Sequence, residues 1–142
     1  MQVKFTDDLL TGHEEIDNQH KELIKRLDYF WRAAREGESK NEVIPALLFL
    51  GKYVVEHFTD EERFQQEIGY PGHKEHKIQH EEFKAEVDSL VKRVLKMGPD
   101  HSIAVETLNL ILEWVVKHIK ESDKKMVQFA RAKDKPVSTK TP

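Results

Sequence analysis

Apolar residues recur at intervals of three and four along four stretches of the chain, and short polar or Gly- and Pro-containing gaps separate them. The stretches run from about Glu14 to Arg35, from Glu42 to the turn IGYPG at 68–72, from His73 to Lys96, and from Ile103 to beyond Ser122. This periodicity predicts four amphipathic α-helices, and no segment shows the strict alternation of a half-buried strand.

Helices of this length, joined by connections of about five residues, favour antiparallel neighbours. We therefore predict an all-α fold, an up-down-up-down antiparallel four-helix bundle with an N-terminal arm. The expected domain covers residues 1–132, and residues 133–142 form a polar C-terminal tail. A chain of 142 residues suits one domain with a single core.

Composition and charge narrow the function classes. The chain has 23 basic and 26 acidic residues, a net charge of -3, which predicts neither a nucleic-acid surface nor a membrane-binding patch. No apolar run approaches the roughly 20 residues of a membrane span, and no export signal is apparent at the start. The chain has no cysteine, so disulfides and thiolate metal sites are excluded. We expect a cytoplasmic protein.

Several polar residues interrupt the predicted apolar faces. His57 and Glu61 are four residues apart on the second helix, and His76 and His80 are four apart on the third. Such pairs lie on one helix face. The inward positions of the first and fourth helices also hold imidazoles, and the full set of inward histidines is His20, His57, His76, His80 and His118. Every predicted helix therefore directs at least one imidazole toward the core.

Burying this many polar groups costs a few kcal/mol each unless each is satisfied, and a shared metal would satisfy them together. Nitrogen and carboxylate donors without sulfur suit iron, zinc, manganese or copper. Five histidines exceed the needs of one tetrahedral zinc, so we predict two metals with Glu61 as one bridge. Spacing from His118 favours Glu121 as the second bridge, because Asp123 would need a π-type widening of the helix.

Four stretches resemble the hemerythrin family, specifically its single-domain bacterial members: GHEEIDNQHKEL (12–23), YVVEHFTDEE (53–62), YPGHKEHKIQHEEF (70–83) and WVVKHIKESD (114–123). The resemblance covers residues 3–130. It implies two irons, of which one keeps an open position where family members bind dioxygen. The implied ligands are His20 and His57 for that iron; His76, His80 and His118 for the other; and Glu61, Asp123 and an oxo or hydroxo group as bridges. In this respect the resemblance overrides the spacing that favours Glu121.

Apolar residues within about one turn of the ligands are expected to line the oxygen pocket. The expected lining residues are Ile16, Phe58, Trp114 and Val115. Many relatives carry leucine where this chain has Val115, one methylene smaller.

The remaining polar residues near the motifs have simpler interpretations. His13 is expected to cap or pack at the start of the first helix, and His73 to lie on the surface. His101 is expected to be solvated in a loop, and Asp60 and Glu62 to belong to a solvated face.

The leading functional hypothesis is non-enzymatic, namely reversible dioxygen binding for storage, delivery or sensing. The chain is expected to be a free-standing monomeric carrier, with an oligomer left open, and its partners would be dioxygen and an electron donor. The alternative is a di-iron redox enzyme or scavenger acting on peroxide or nitric oxide, although the Glu-x-x-His motifs of carboxylate oxidases are absent. A third hypothesis is a protein that binds a partner through a helix face and is stabilised by one structural zinc ion.

Overall fold

The computed structural model describes residues 4–35, 40–97 and 101–134, which are mostly helical. Four long helices form the body, and a π-helical segment carries the fourth directly into a shorter fifth helix. The helices are α1 Glu14–Arg35, α2 Lys40–Ile68, α3 His73–Met97, α4 His101–His118 and α5 Lys124–Asp134, with the π segment at Ile119–Asp123. A 3-10 turn at Asp7–Leu9 precedes α1.

The predicted fold class, a four-helix bundle, is confirmed. Helix α1 packs against α2 and α4, and α3 packs against the same two helices, which closes a four-membered ring of antiparallel neighbours. The apolar stripes face the centre of this ring, and each fully buried Leu or Phe stabilises the fold by roughly 1.5–3 kcal/mol. Side chains with no exposed surface include Leu27, Phe30, Leu50, Phe83, Leu90 and Leu108.

Three helix ends differ from the predicted ones. Helix α2 begins at Lys40 rather than Glu42, so Pro45 lies beyond its first turn, where its missing N–H removes an internal hydrogen bond. Helix α4 begins at His101, within the predicted loop. Helix α5 continues to Asp134, so the first residues of the predicted tail are helical. The division at residues 132 and 133 stays a prediction, and residues 135–142 lie outside the described chain.

The turn between α2 and α3 sets the register of the two helices. Gly69 has a φ of 66°, the left-handed conformation that glycine adopts without a steric penalty. The amide of Tyr70 donates to the Gln65 carbonyl at 2.9 Å, and that of Gly69 donates to the Gln66 carbonyl at 3.2 Å. This is a Schellman cap. It reverses the chain within four residues, so the end of α2 lies beside the start of α3.

The segment before α1 is fixed by one buried carboxylate. Asp17 accepts hydrogen bonds from the Thr11 amide at 2.8 Å, the Thr11 hydroxyl at 2.6 Å and the Gly12 amide at 3.1 Å. Asp17 therefore holds the segment before α1 against the first turn of that helix. Among the described residues, no helix combines the length and the apolar character that crossing a bilayer requires.

Candidate metal centre

The seven residues implied as ligands lie together in one layer near one end of the bundle. Helices α1 and α3 contribute from their first halves, and α2 and α4 from their last halves, so antiparallel packing brings these parts together. None of the seven is more than 6% exposed. The residues are His20, His57, Glu61, His76, His80, His118 and Asp123.

Donor atoms of these residues form two groups that share a carboxylate. One group consists of His20, His57 and Glu61, whose donor atoms lie within 4.8 Å of one another. The other group meets the same limit and comprises Glu61, His76, His80, His118 and Asp123. Each group is compact enough to hold a metal ion, and they differ in having two and three histidines.

Glu61 directs one oxygen to each group. Its Oε2 atom lies 3.1 Å from His20 Nε2 and 3.0 Å from His57 Nε2. Its Oε1 atom lies 3.1 Å from His80 Nε2 and 3.8 Å from His76 Nε2. The carboxylate therefore stands between the two sets of imidazoles.

Asp123 is placed in the same way. Its Oδ1 atom lies 2.8 Å from His76 Nε2 and 3.2 Å from His118 Nε2, whereas its Oδ2 atom lies 3.0 Å from His20 Nε2. All five imidazoles thus present Nε2 to the two carboxylates, so Nε2 is the atom that each ring would offer to a metal.

The π segment explains why Asp123, rather than Glu121, reaches the centre. Five residues turn an ideal α-helix about 140° past alignment, so Asp123 on a regular helix would point away from the face of His118. The wider π turn at Ile119–Asp123 absorbs this excess, which leaves Asp123 1% exposed and Glu121 exposed to solvent. Spacing alone favoured Glu121, whereas the structure places Asp123, the carboxylate implied by the resemblance, among the imidazoles of the layer.

The charges in the layer depend on one another. Burial would lower the pKa of His20, but hydrogen bonds to Asp123 and Glu61 outweigh it and raise the pKa to about 10. Burial would raise the pKa of Glu61, but His57, His20 and His80 hold it well below the usual value. The pKa of Asp123 is also well below normal, because His118 and His20 outweigh burial and the charge of Glu61. The carboxylates are therefore ionised and ready to bind a cation.

Hydrogen bonding inside the layer is incomplete. Glu61 Oε1, His80 Nε2 and Asp123 Oδ1 are buried and have no hydrogen-bond partner of acceptable geometry. Each of these atoms lies close to other donor atoms of the layer, and a buried polar atom without a hydrogen bond costs free energy unless another partner, such as a cation, satisfies it. Together with the nitrogen and carboxylate donors, this shows that the residues present fit non-haem iron.

The outer nitrogens of three rings have their own partners. His57 Nδ1 lies 2.7 Å from Gln19 Oε1, and His80 Nδ1 lies 3.0 Å from Glu62 Oε2. Glu62 was expected on a solvated face, and this prediction is wrong because its carboxylate turns inward. Gln65 is fully buried 2.7 Å from the third ring, His76. Gln65 lies four residues after Glu61, a spacing that could have identified it.

Apolar side chains cover the side of the layer that faces the middle of the bundle. The Phe58 ring stacks on His80 with ring centres 3.8 Å apart, and the Trp114 ring stacks on His118 at 4.4 Å. Val115 is buried in the same core cluster. Ile16 belongs to a separate small cluster with Met126 and Val127. Three of the four expected pocket residues therefore lie together, and Ile16 lies elsewhere.

Comparison with known proteins identifies the family. A family model described as "Hemerythrin HHE cation binding domain" matches residues 11–130. The chain belongs to the hemerythrin family. Bacteriohemerythrin of Pseudomonas aeruginosa is 30% identical over 127 residues, covering 89% of this chain and 80% of that protein. Bacteriohemerythrin of Campylobacter jejuni (strain 81-176) is 31% identical over 128 residues, covering 87% and 92%.

A solved structure supports the same conclusion. The crystal structure of a leucine-to-alanine mutant of hemerythrin superposes with a TM-score of 0.80 at 26% identity, covering 91% of this chain and 98% of that one. The resemblance to the hemerythrin family stated from the sequence is confirmed.

The other histidines of this hemerythrin chain lie outside the layer. His13 caps α1, with its Nδ1 accepting from the Ile16 amide at 3.3 Å, as predicted. His73 is half-buried rather than on the open surface, with its Nδ1 lying 3.0 Å from Gln65 Oε1. The side chain of His101, expected to be solvated, lies outside the described residues.

Proposed function

We propose that this chain binds dioxygen reversibly at two iron ions, which Glu61 and Asp123 bridge together with an oxo or hydroxo group. His20 and His57 hold one iron, and His76, His80 and His118 hold the other. The observation that carries this proposal is the unequal division of five buried imidazoles around two carboxylates, each of which directs one oxygen to each group. When bound, the iron pair supplies the reversible electron transfer that dioxygen binding requires.

The unequal number of histidines in the two groups determines where dioxygen would bind. Three imidazoles and two carboxylates supply five donors to one ion, whereas two imidazoles and the same two carboxylates supply four to the other. The ion beside His20 and His57 therefore has more room for an outside ligand. A site with an open position binds a small molecule, and one closed by protein does not.

The surrounding apolar side chains would keep water from that position. Phe58, Val115 and Trp114 pack in the main core beside the layer, and Leu23, three residues after His20, is buried in the same cluster. Ile16 is four residues before His20 and packs toward α5, on the opposite side of the layer. We therefore place Leu23, and not Ile16, in the dioxygen pocket with Phe58, Trp114 and Val115.

Storage, delivery and sensing of dioxygen would all use this same pocket. An electron donor would be the second partner, because iron oxidised in the presence of dioxygen must be reduced before the site binds again. The relatives named bacteriohemerythrin and the solved hemerythrin support a dioxygen-binding role for the fold and the site.

The deciding experiment is iron analysis followed by anaerobic reduction and cycles of air exposure and removal, watched by visible absorption. We expect two irons per chain and a charge-transfer band that appears with dioxygen, fades on its removal and returns on re-exposure. Immediate and permanent conversion to the oxidised state would favour the alternative scavenger of peroxide or nitric oxide. A chain that takes up only one zinc would contradict both iron proposals.

A further inference from the structure

A cavity of about 500 Å³ opens on the protein surface between the start of α3 and the π segment. Its walls come from the turn before α3, the first two turns of α3, the π segment and α5. His76 forms part of this wall, although the residue is only 3% exposed. The cavity therefore reaches a residue of the metal layer from the solvent side.

The His76 ring connects this cavity with the donor atoms of the three-histidine group. Its Nε2 atom lies 2.8 Å from Asp123 Oδ1 and 2.8 Å from His118 Nε2. Asp123 Oδ1 is buried and has no hydrogen bond of acceptable geometry. An ion that arrives at the edge of the His76 ring therefore needs only to exchange ligands locally to reach a carboxylate of the layer.

The outer part of the cavity carries more negative than positive charge. Glu75 on α3 and Glu121 on the π segment line it from opposite walls, and both are exposed to solvent, whereas Lys125 supplies one positive charge. The half-buried Ser122 hydroxyl donates to Gln79 Oε1 at 2.9 Å, which joins the two walls. Carboxylate, amide and hydroxyl oxygens suit a divalent cation that still keeps part of its water shell.

Other approaches to the layer are less suited to an ion. A cavity of about 720 Å³ lies between α1 and α2, but none of the seven layer residues lines it in the described chain. Gln19 forms part of its wall, and the side chain of Gln19 contacts His57 Nδ1 at 2.7 Å and donates to Asp60 Oδ2 at 3.2 Å. Toward the middle of the bundle, the Phe58 and Trp114 rings cover the layer, and a charge crosses apolar packing only at a high cost.

We propose that the cavity beside His76 is the path by which a divalent metal ion enters the layer, with Glu75 and Glu121 forming a transient cation site at its mouth. The proposal rests on the proposed metal site but not on dioxygen binding. The two carboxylates attract the ion from solution, and His76 receives it at the inner wall and passes it to Asp123. Because neither glutamate is a ligand in the layer, they change the rates of entry and exit by the same factor and leave the affinity unchanged.

The test measures uptake of Co²⁺, a coloured divalent probe, by the full chain after a chelator has stripped it of metal. Stopped-flow absorption gives the rate of uptake, and excess chelator that traps the released ion gives the rate of release. We expect the double variant Glu75→Gln, Glu121→Gln to take up and release Co²⁺ about tenfold more slowly at low salt, because charged clefts speed the association of oppositely charged ligands. Its affinity should stay unchanged, and the difference in rate should shrink as the ionic strength rises.

A second double variant separates the cavity from the net charge of the chain. Glu86→Gln with Glu113→Gln removes the same charge from exposed carboxylates of α3 and α4 that lie outside the cavity, and it should exchange Co²⁺ at the original rates. Equal uptake rates in the two double variants would overturn the entry path and leave the metal site standing. Faster release with unchanged uptake would also overturn it, since the carboxylates would then hold the bound ion. A chain that binds no Co²⁺ would overturn the metal site and the path together.

Discussion

Single residues of this centre differ in how well the sequence predicted them. His57 and His80 were predictable because an imidazole on an apolar stripe costs free energy unless something satisfies it. Glu62 was not, since a carboxylate beside such a stripe usually belongs to the solvated face. The Glu62 carboxylate turns inward because His80 Nδ1, on the neighbouring helix α3, lies 3.0 Å from it. That position is set by packing and not by spacing.

Replacing a ring of the layer and replacing a ring outside it should have different effects. His80→Ala removes one of three imidazoles of its group and leaves Glu61 Oε1 facing a cavity, so we expect the chain to hold no more than one iron and to melt at a lower temperature. His73→Ala removes a ring that faces Gln65 and no carboxylate of the layer. It should retain two irons, as metal analysis of both variants will show. Iron loss in His73→Ala but not in His80→Ala would mean that the register assigned to α3 is wrong.

Glu62 should tune metal affinity without being a ligand. Its carboxylate accepts a hydrogen bond from His80 Nδ1–H. This hydrogen bond orients the ring and makes His80 Nε2 a stronger metal ligand. We expect Glu62→Ala to weaken zinc binding about 10- to 100-fold, the usual effect of losing such a partner. Competition with a chromophoric chelator measures this change. The matched control, Glu67→Ala, removes an exposed carboxylate from the same helix and should leave the affinity unchanged.

Among the elements, the π segment was the one that periodicity could not locate. Apolar spacing predicts a continuous fourth helix, and one extra residue within a turn is invisible to that pattern. The widening is maintained because α5 resumes regular helix at Lys124 and buries Met126, Val127 and Ala130. It is therefore the packing of the following helix, with the charges around Asp123, that retains the π turn.

Two carboxylates of this segment provide a matched test of its role. Asp123→Ala removes both carboxylate oxygens, of which Oδ1 lies within 3.2 Å of two imidazoles and Oδ2 lies 3.0 Å from a third, so we expect loss of iron and a lower melting temperature. Glu121→Ala removes an exposed carboxylate two residues away and should change neither. Iron content and thermal melts of the two variants will decide. The opposite pattern would show that the segment is an ordinary α-helix in solution.

For the whole molecule, the sequence predicted the fold well because periodicity, turn residues and short connections all favour the same bundle. The helix ends were less predictable, since α2 begins at Lys40 rather than at the predicted Glu42 and so places Pro45 beyond its first turn. The metal layer joins all four long helices through the end of α4. Metal binding and global stability are therefore linked, since a ligand that binds only the folded chain stabilises it.

Without metal, the layer should make stability depend on pH in a definite direction. His20 has a pKa raised from 6.5 to about 10 by Asp123 and Glu61, so its stabilising contribution is complete below about pH 6.5 and is lost as the pH rises through 10. Glu61 and Asp123 have lowered pKa values, so their contributions are present above their ordinary values of 4.5 and 3.8 and are lost as the pH falls. The metal-free chain should be most stable between these limits.

Above about pH 6.5 metal binding should strengthen as the pH rises, because protons compete with metal for the same imidazole nitrogens. We expect the metal-free chain to be less stable at about pH 9 than at pH 6, and the stability gained from zinc to grow over the same interval. Urea unfolding of both forms across the pH range measures the two trends. His20→Gln should flatten the alkaline decline of the metal-free form while leaving the acid side in place. A metal-free chain that gains stability from pH 6 to 9 would show that His20 is neutral in the folded protein, which would remove the electrostatic basis assigned to the layer.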